Sequence, residues 1–84
     1  MITRMWEARL LRDCRPATDA LPGGCAVYTS YEGQARVVVI SHFADEAAVA
    51  AYAGASWRID AQAESTAFDG GVADAHVWHF TRIS

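Results

Sequence analysis

The chain has 84 residues, of which 52% are hydrophobic and 20% charged, with a formal charge of −3. That balance excludes a disordered or low-complexity segment and fits one compact domain over residues 1–84. Seven arginines, no lysine and no basic run leave no electrostatic footprint for a phosphate backbone, so nucleic acid is not an expected partner.

A domain this short removes only ~60–65% of its unfolded surface from water, so its core is marginal alone and a homodimer is expected. Cys14 and Cys25, with ten residues between them, fit neither a CxxC nor a zinc-knuckle spacing. They read as free thiols in a reducing compartment, with no metal or cofactor implied. The start, MITRMWEARL, lacks the basic region and continuous apolar run of a signal peptide, and the longest apolar run, Ala47 to Ala55, is far short of the ~20 residues that span a bilayer. A cytoplasmic protein that does not enter the membrane is expected.

In chain order, Ile2, Trp6, Ala8 and Leu10 share one parity, interrupted by Arg4, which predicts a strand from Met1 to Leu11. The connection RDCRPATDALPGG has room for at most two helical turns after Pro16. CAVYTSY reads as a second strand, Glu32-Gly33 as a hairpin tip, and Ala35 to Phe43 as the antiparallel return. Asp45 is placed to cap a helix whose first turn gains Glu46 and whose stop is Gly54. Ala47, Ala48, Ala51, Tyr52 and Ala55 share one face of that helix, and their small side chains suit close approach to a sheet. A weaker helical piece lies within Trp57–Phe68, Asp69-Gly70-Gly71 is a turn, and VADAHVWHFTRI closes the chain as a strand. The order is β-α-β-β-α-β: an α+β, ferredoxin-like antiparallel sheet with helices on one face and a shortened first helix.

The joint Ser41-His42-Phe43, followed by Ala44-Asp45-Glu46-Ala47-Ala48 and later Tyr52, resembles the dimeric α+β barrel superfamily, and within it the antibiotic biosynthesis monooxygenase-like (ABM-like) domains. The pair Arg4 and Trp6 in the opening strand adds to the resemblance. It implies a homodimer whose two sheets face each other as a barrel, and a pocket in each subunit for a small aromatic or polyketide-like molecule. Oxidation without a cofactor is the reaction such a relationship implies. The chain departs from the group where it matters for that chemistry. Phe43 stands where the cofactor-free oxygenases have Trp, Val39 where they have Asn, and alanines follow where the haem-degrading members have His.

The residues themselves leave two readings open. Trp6, Phe43, Trp57 and Trp78 make an aromatic-walled pocket with Arg4 as polar anchor, or they are core and interface mass. With Ser41 and Tyr52 from the joint, Arg4, Trp6 and Phe43 form the candidate ligand set. Arg4 on an apolar parity requires a carboxylate or several acceptors, from a second subunit or from a ligand. His42, His76 and His79 are the candidate bases near neutral pH. His76, Trp78 and Phe80 fall on one face of the last strand and His79 on the other, which disfavours a shared metal site. Asp60 and Glu64 read as a like-charge pair on a solvated face. The competing class is a noncatalytic binding or assembly module.

Overall fold

A computed structural model describes residues 1–33 and 35–84. Four strands, β1 (Ile2–Leu10), β2 (Ala26–Thr29), β3 (Arg36–Phe43) and β4 (Val72–Phe80), form one sheet in the order β2-β3-β1-β4, with every pairing antiparallel. Two helices, α1 (Glu46–Ala53) and α2 (Gln62–Ala67), lie between β3 and β4 in the chain. Strand order and direction are those of the ferredoxin-like plan. The first crossover differs: one 3-10 turn, Thr18–Ala20, stands where the plan has a helix. Thirteen residues that include Pro16, Pro22 and the Gly23-Gly24 pair leave no uninterrupted stretch for two α-helical turns.

The parity expected of β1 holds. Arg4, Trp6 and Ala8 are fully buried on the inner, helix-covered face, while Thr3, Met5 and Glu7 lie on the outer face. Trp6 is the centre of the core, its ring stacked on Phe68 at 5.2 Å and its Nε1 donating to the Ala61 carbonyl at 3.0 Å. Leu21, Val37, Val39 and Ala67 complete the cluster. On β4, Asp74 and Ala75 oppose the single residue Ala8, a bulge marked by φ +56° at Asp74, whose carboxylate accepts from Arg9 at 3.1 Å. The edge strand is thereby bent and carries a charge, features that discourage strand-to-strand aggregation.

The joint after β3 forms as the sequence predicts. Asp45 Oδ1 accepts from the Ala48 backbone N–H at 2.9 Å, and Gly54 ends α1 with φ +92°. The face that α1 turns inward is not the expected one. Val49 is its buried residue, with Ala48 and Tyr52 half-buried beside it, whereas Ala47, Ala51 and Ala55 are exposed. Val49 is the largest aliphatic side chain of the run, and burying it gains more than burying any of its alanine neighbours. Tyr52 completes this face by packing on Phe43, with ring centroids 5.5 Å apart.

Candidate functional site

The inner face of the sheet carries one polar row. In register across it stand Ser41 on β3, Arg4 on β1 and His79 on β4. The neighbouring row, Val39, Trp6 and Val77, is apolar. A guanidinium placed in such a row must find acceptors for all five of its N–H groups.

Arg4 finds them within its own chain. Its Nε donates to Glu64 Oε2 at 2.7 Å and its Nη2 to Glu64 Oε1 at 3.0 Å, a bidentate pair in which both side chains are 0% exposed. Nη2 also donates to the Asp60 carbonyl at 2.7 Å, and Nη1 to the Trp57 carbonyl at 2.7 Å and to His79 Nε2 at 3.1 Å. The five donors are therefore matched by five protein acceptors. The carboxylate that Arg4 requires comes from Glu64, neither from a second subunit nor from a ligand, and no donor is left over to anchor one.

Glu64 is thus a correction to the sequence expectation of a solvated Asp60–Glu64 face. Asp60 is half-buried; its Oδ1 accepts from the Gln62 N–H at 2.8 Å, holding the start of α2, while its carbonyl serves Arg4. A signal for Glu64 existed: it lies three and four residues before the buried Ala67 and Phe68, which places it on the apolar side of its helix. An acid on that side and an arginine on the apolar parity of β1 are natural partners.

The imidazole of His79 is committed by the same network. Because Arg4 has no lone pair to offer, His79 Nε2 must be the acceptor, so the ring is neutral with its proton on Nδ1. Burial first, and then the Arg4 charge, lowers its pKa below the ordinary imidazole value. Trp57 meets this ring edge-on at 4.8 Å, and Arg58 lies 4.2 Å above the Trp57 ring. A base needs a free lone pair, and the Nε2 lone pair of His79 is occupied.

The remaining candidates are dispersed. His42 sits exposed on the outer face with Nδ1 3.0 Å from Thr3 Oγ1, and His76 is on the same face, against Trp78. Trp78 points outward while Trp6, Phe43 and Trp57 belong to the inner face, so the four rings do not wall one pocket. Among the described residues no group of three His, Cys, Asp or Glu side chains is placed to hold a metal ion. Cys14 and Cys25 are both free, half-buried thiols.

Two hydroxyls at this end of the sheet stand apart from the closed network. Ser41 Oγ and Tyr52 Oη are buried and have no hydrogen-bond partner among the described residues. Burial, with the Glu64 charge adding to it, pushes the Tyr52 hydroxyl well above its usual range, so it remains a protonated phenol at any ordinary pH. Each can donate a hydrogen bond; neither is poised as a nucleophile or base. No helix among the described residues is long and apolar enough to cross a membrane. Comparison with family models, with curated proteins and with solved structures finds no match to this chain.

Proposed function

We propose that the chain is an ABM-like domain that works as a homodimer, two sheets closing face to face as a dimeric α+β barrel, and that it is a binding or assembly module without an oxygenase active site. The observation that carries this reading is the outer face of the sheet, over which neither α1 nor α2 lies. Met5 stands in register between Ile40 and Trp78, Thr3 between His42 and Phe80, and Tyr28 opposite Val38. Trp78, Phe80 and Tyr28 are 41%, 51% and 56% exposed. At ~150–250 Å² per ring these three leave roughly 300 Å² of aromatic surface in water. With the partly exposed Met5, Val38 and Ile40, that is a substantial share of the ~800 Å² per partner of a stable interface.

The inner face supports the noncatalytic half of the proposal. Arg4 and His79 are fully engaged in structural hydrogen bonds, and Phe43 and Val39 replace the Trp and Asn of the cofactor-free oxygenases. The free thiols fit a reducing compartment, and the cytoplasm is the location we propose.

Light scattering on a sizing column tests the dimer. The parent chain is expected at twice its 9.1 kDa mass, and Trp78→Glu, which replaces an exposed outer-face ring on β4 with a charge, at the mass of one chain. A monomeric parent chain would remove this proposal.

The second reading is a domain that binds a small aromatic molecule on the inner face beside Ser41, Phe43 and Tyr52. The unpartnered hydroxyls favour it, since a buried donor left unmade costs ~1–3 kcal/mol and a ligand acceptor would recover that. Ser41→Ala separates the two readings. It should reduce ligand retention if the hydroxyl holds a ligand, and leave stability unchanged or raised if the hydroxyl is only buried.

A further inference from the structure

The short first crossover leaves a second feature, at the end of the inner face away from the Arg4 row. Helices α1 and α2 cover the Ser41–Arg4–His79 end, while a single 3-10 turn faces the other. Between that crossover and the sheet lies a cleft of about 360 Å³. Its floor is apolar: Leu10, Val37 and Val27 from three adjacent strands, with Phe68 at the end of α2 as the back wall. Val37 and Phe68 are almost wholly buried, but Val27, opposite Val39 on the edge strand, is 40% exposed. The volume is at the lower end of the ~300–1,000 Å³ of small-molecule pockets, enough for a body of one or two rings.

The lip of the cleft carries Asp13, Cys14 and Arg15. The Cys14 thiol is directed at the Gly71 carbonyl, with Sγ 3.9 Å from the oxygen. Arg15 differs from every other arginine. Arg4, Arg9, Arg12, Arg36, Arg58 and Arg82 each have a carboxylate or carbonyl partner, whereas Arg15 has none among the described residues. A cation with no partner beside an apolar floor favours a ligand with an apolar body and an anionic group at one end. Asp13 on the same lip disfavours a second negative charge.

We propose that this cleft is a binding site for a small hydrophobic monocarboxylate, its body on Leu10, Val27, Val37 and Phe68 and its carboxylate on Arg15. The site is on the helix-bearing side of the sheet, so it is independent of the outer face and of whether two chains associate there.

The test is a titration of the full chain with 2-naphthoate and with the neutral 2-naphthalenemethanol, followed by amide chemical shifts. Naphthoate should give saturable shifts at Leu10, Val37, Phe68 and the segment from Cys14 to Thr18. Arg15→Gln, at an exposed position, should weaken naphthoate roughly threefold to tenfold and leave the alcohol unaffected, the range of a partly solvated ion pair. Val27→Trp should fill the cleft and abolish both responses while the remaining spectrum stays folded. Absence of saturable shifts at millimolar naphthoate, shifts centred on Ser41 and Tyr52 instead, or equal affinity in Arg15→Gln would each overturn the proposal.

Discussion

Glu64→Gln exchanges one carboxylate oxygen for an NH2 group where both oxygens accept from Arg4, at 2.7 and 3.0 Å, with no exposure of either side chain. The variant keeps one acceptor, turns the other into a donor facing a donor, and leaves the guanidinium charge buried without a counter-ion. Removing one partner of a buried pair costs ~3–5 kcal/mol. An 84-residue domain has a total stability of only ~4–13 kcal/mol, so this one change removes about a quarter of it or more. At ~4–8 °C per kcal/mol for a domain of this size, the midpoint of thermal unfolding should fall by about 12–40 °C. The double variant Arg4→Met/Glu64→Leu carries no buried charge and should be more stable than either single variant. It should still fall short of the parent, because the Trp57 and Asp60 carbonyls lose their donor at ~1–3 kcal/mol each. Urea and thermal unfolding followed by tryptophan fluorescence, at one fixed protein concentration, gives both numbers, since Trp6 and Trp57 are buried next to the network. A loss under about 3 °C in Glu64→Gln, or a double variant worse than both singles together, would refute a buried, fully satisfied pair.

Two further changes probe the same core. His79 has a folded pKa below the ~6.5 of an unfolded imidazole, so in the window between those values the unfolded chain binds more protons and stability falls as pH falls. Thermal midpoints from pH 7.5 to 5.5 should therefore decline more steeply in the parent than in His79→Gln, whose amide oxygen can still accept from Arg4 but does not titrate; parallel profiles would contradict a lowered His79 pKa. A Cβ on Gly71 would lie 2.5 Å from Cys14 Sγ and 3.0 Å from the Phe68 carbonyl. Gly71→Ala should cost ~1–3 kcal/mol in urea unfolding, and adding Cys14→Ala should return part of that but not all, because the Phe68 carbonyl cannot move aside.

What the sequence made legible was local or periodic. The parity of β1, the opposite facing of His76 and His79, the Asp45 cap and the Gly54 stop each depend on residues within one turn or one strand, and all four are present. The rotation of α1 was not legible, because alanines on every side of an eight-residue helix give no sided pattern and Val49 alone decides. The partner of Arg4 lies 60 residues away, so no spacing rule could join them; the requirement for a partner was visible, its identity was not. The short first crossover was expected, but its consequence, a cleft lined by Leu10, Val37 and Val27, emerges only when three strands are placed side by side. The unpartnered hydroxyls of Ser41 and Tyr52 likewise depend on tertiary packing.

Association through the outer sheet face is the claim on which the functional reading depends. Native mass spectrometry of the freshly purified, unaltered chain at micromolar concentration counts subunits and reports any retained small molecule together. The predicted result is a species of twice the 9.1 kDa chain mass, and any additional mass would belong to a ligand held on the inner, helix-covered side. A spectrum holding only single chains would contradict the dimeric arrangement and leave Trp78, Phe80 and Tyr28 as an exposed apolar surface that some other partner must explain.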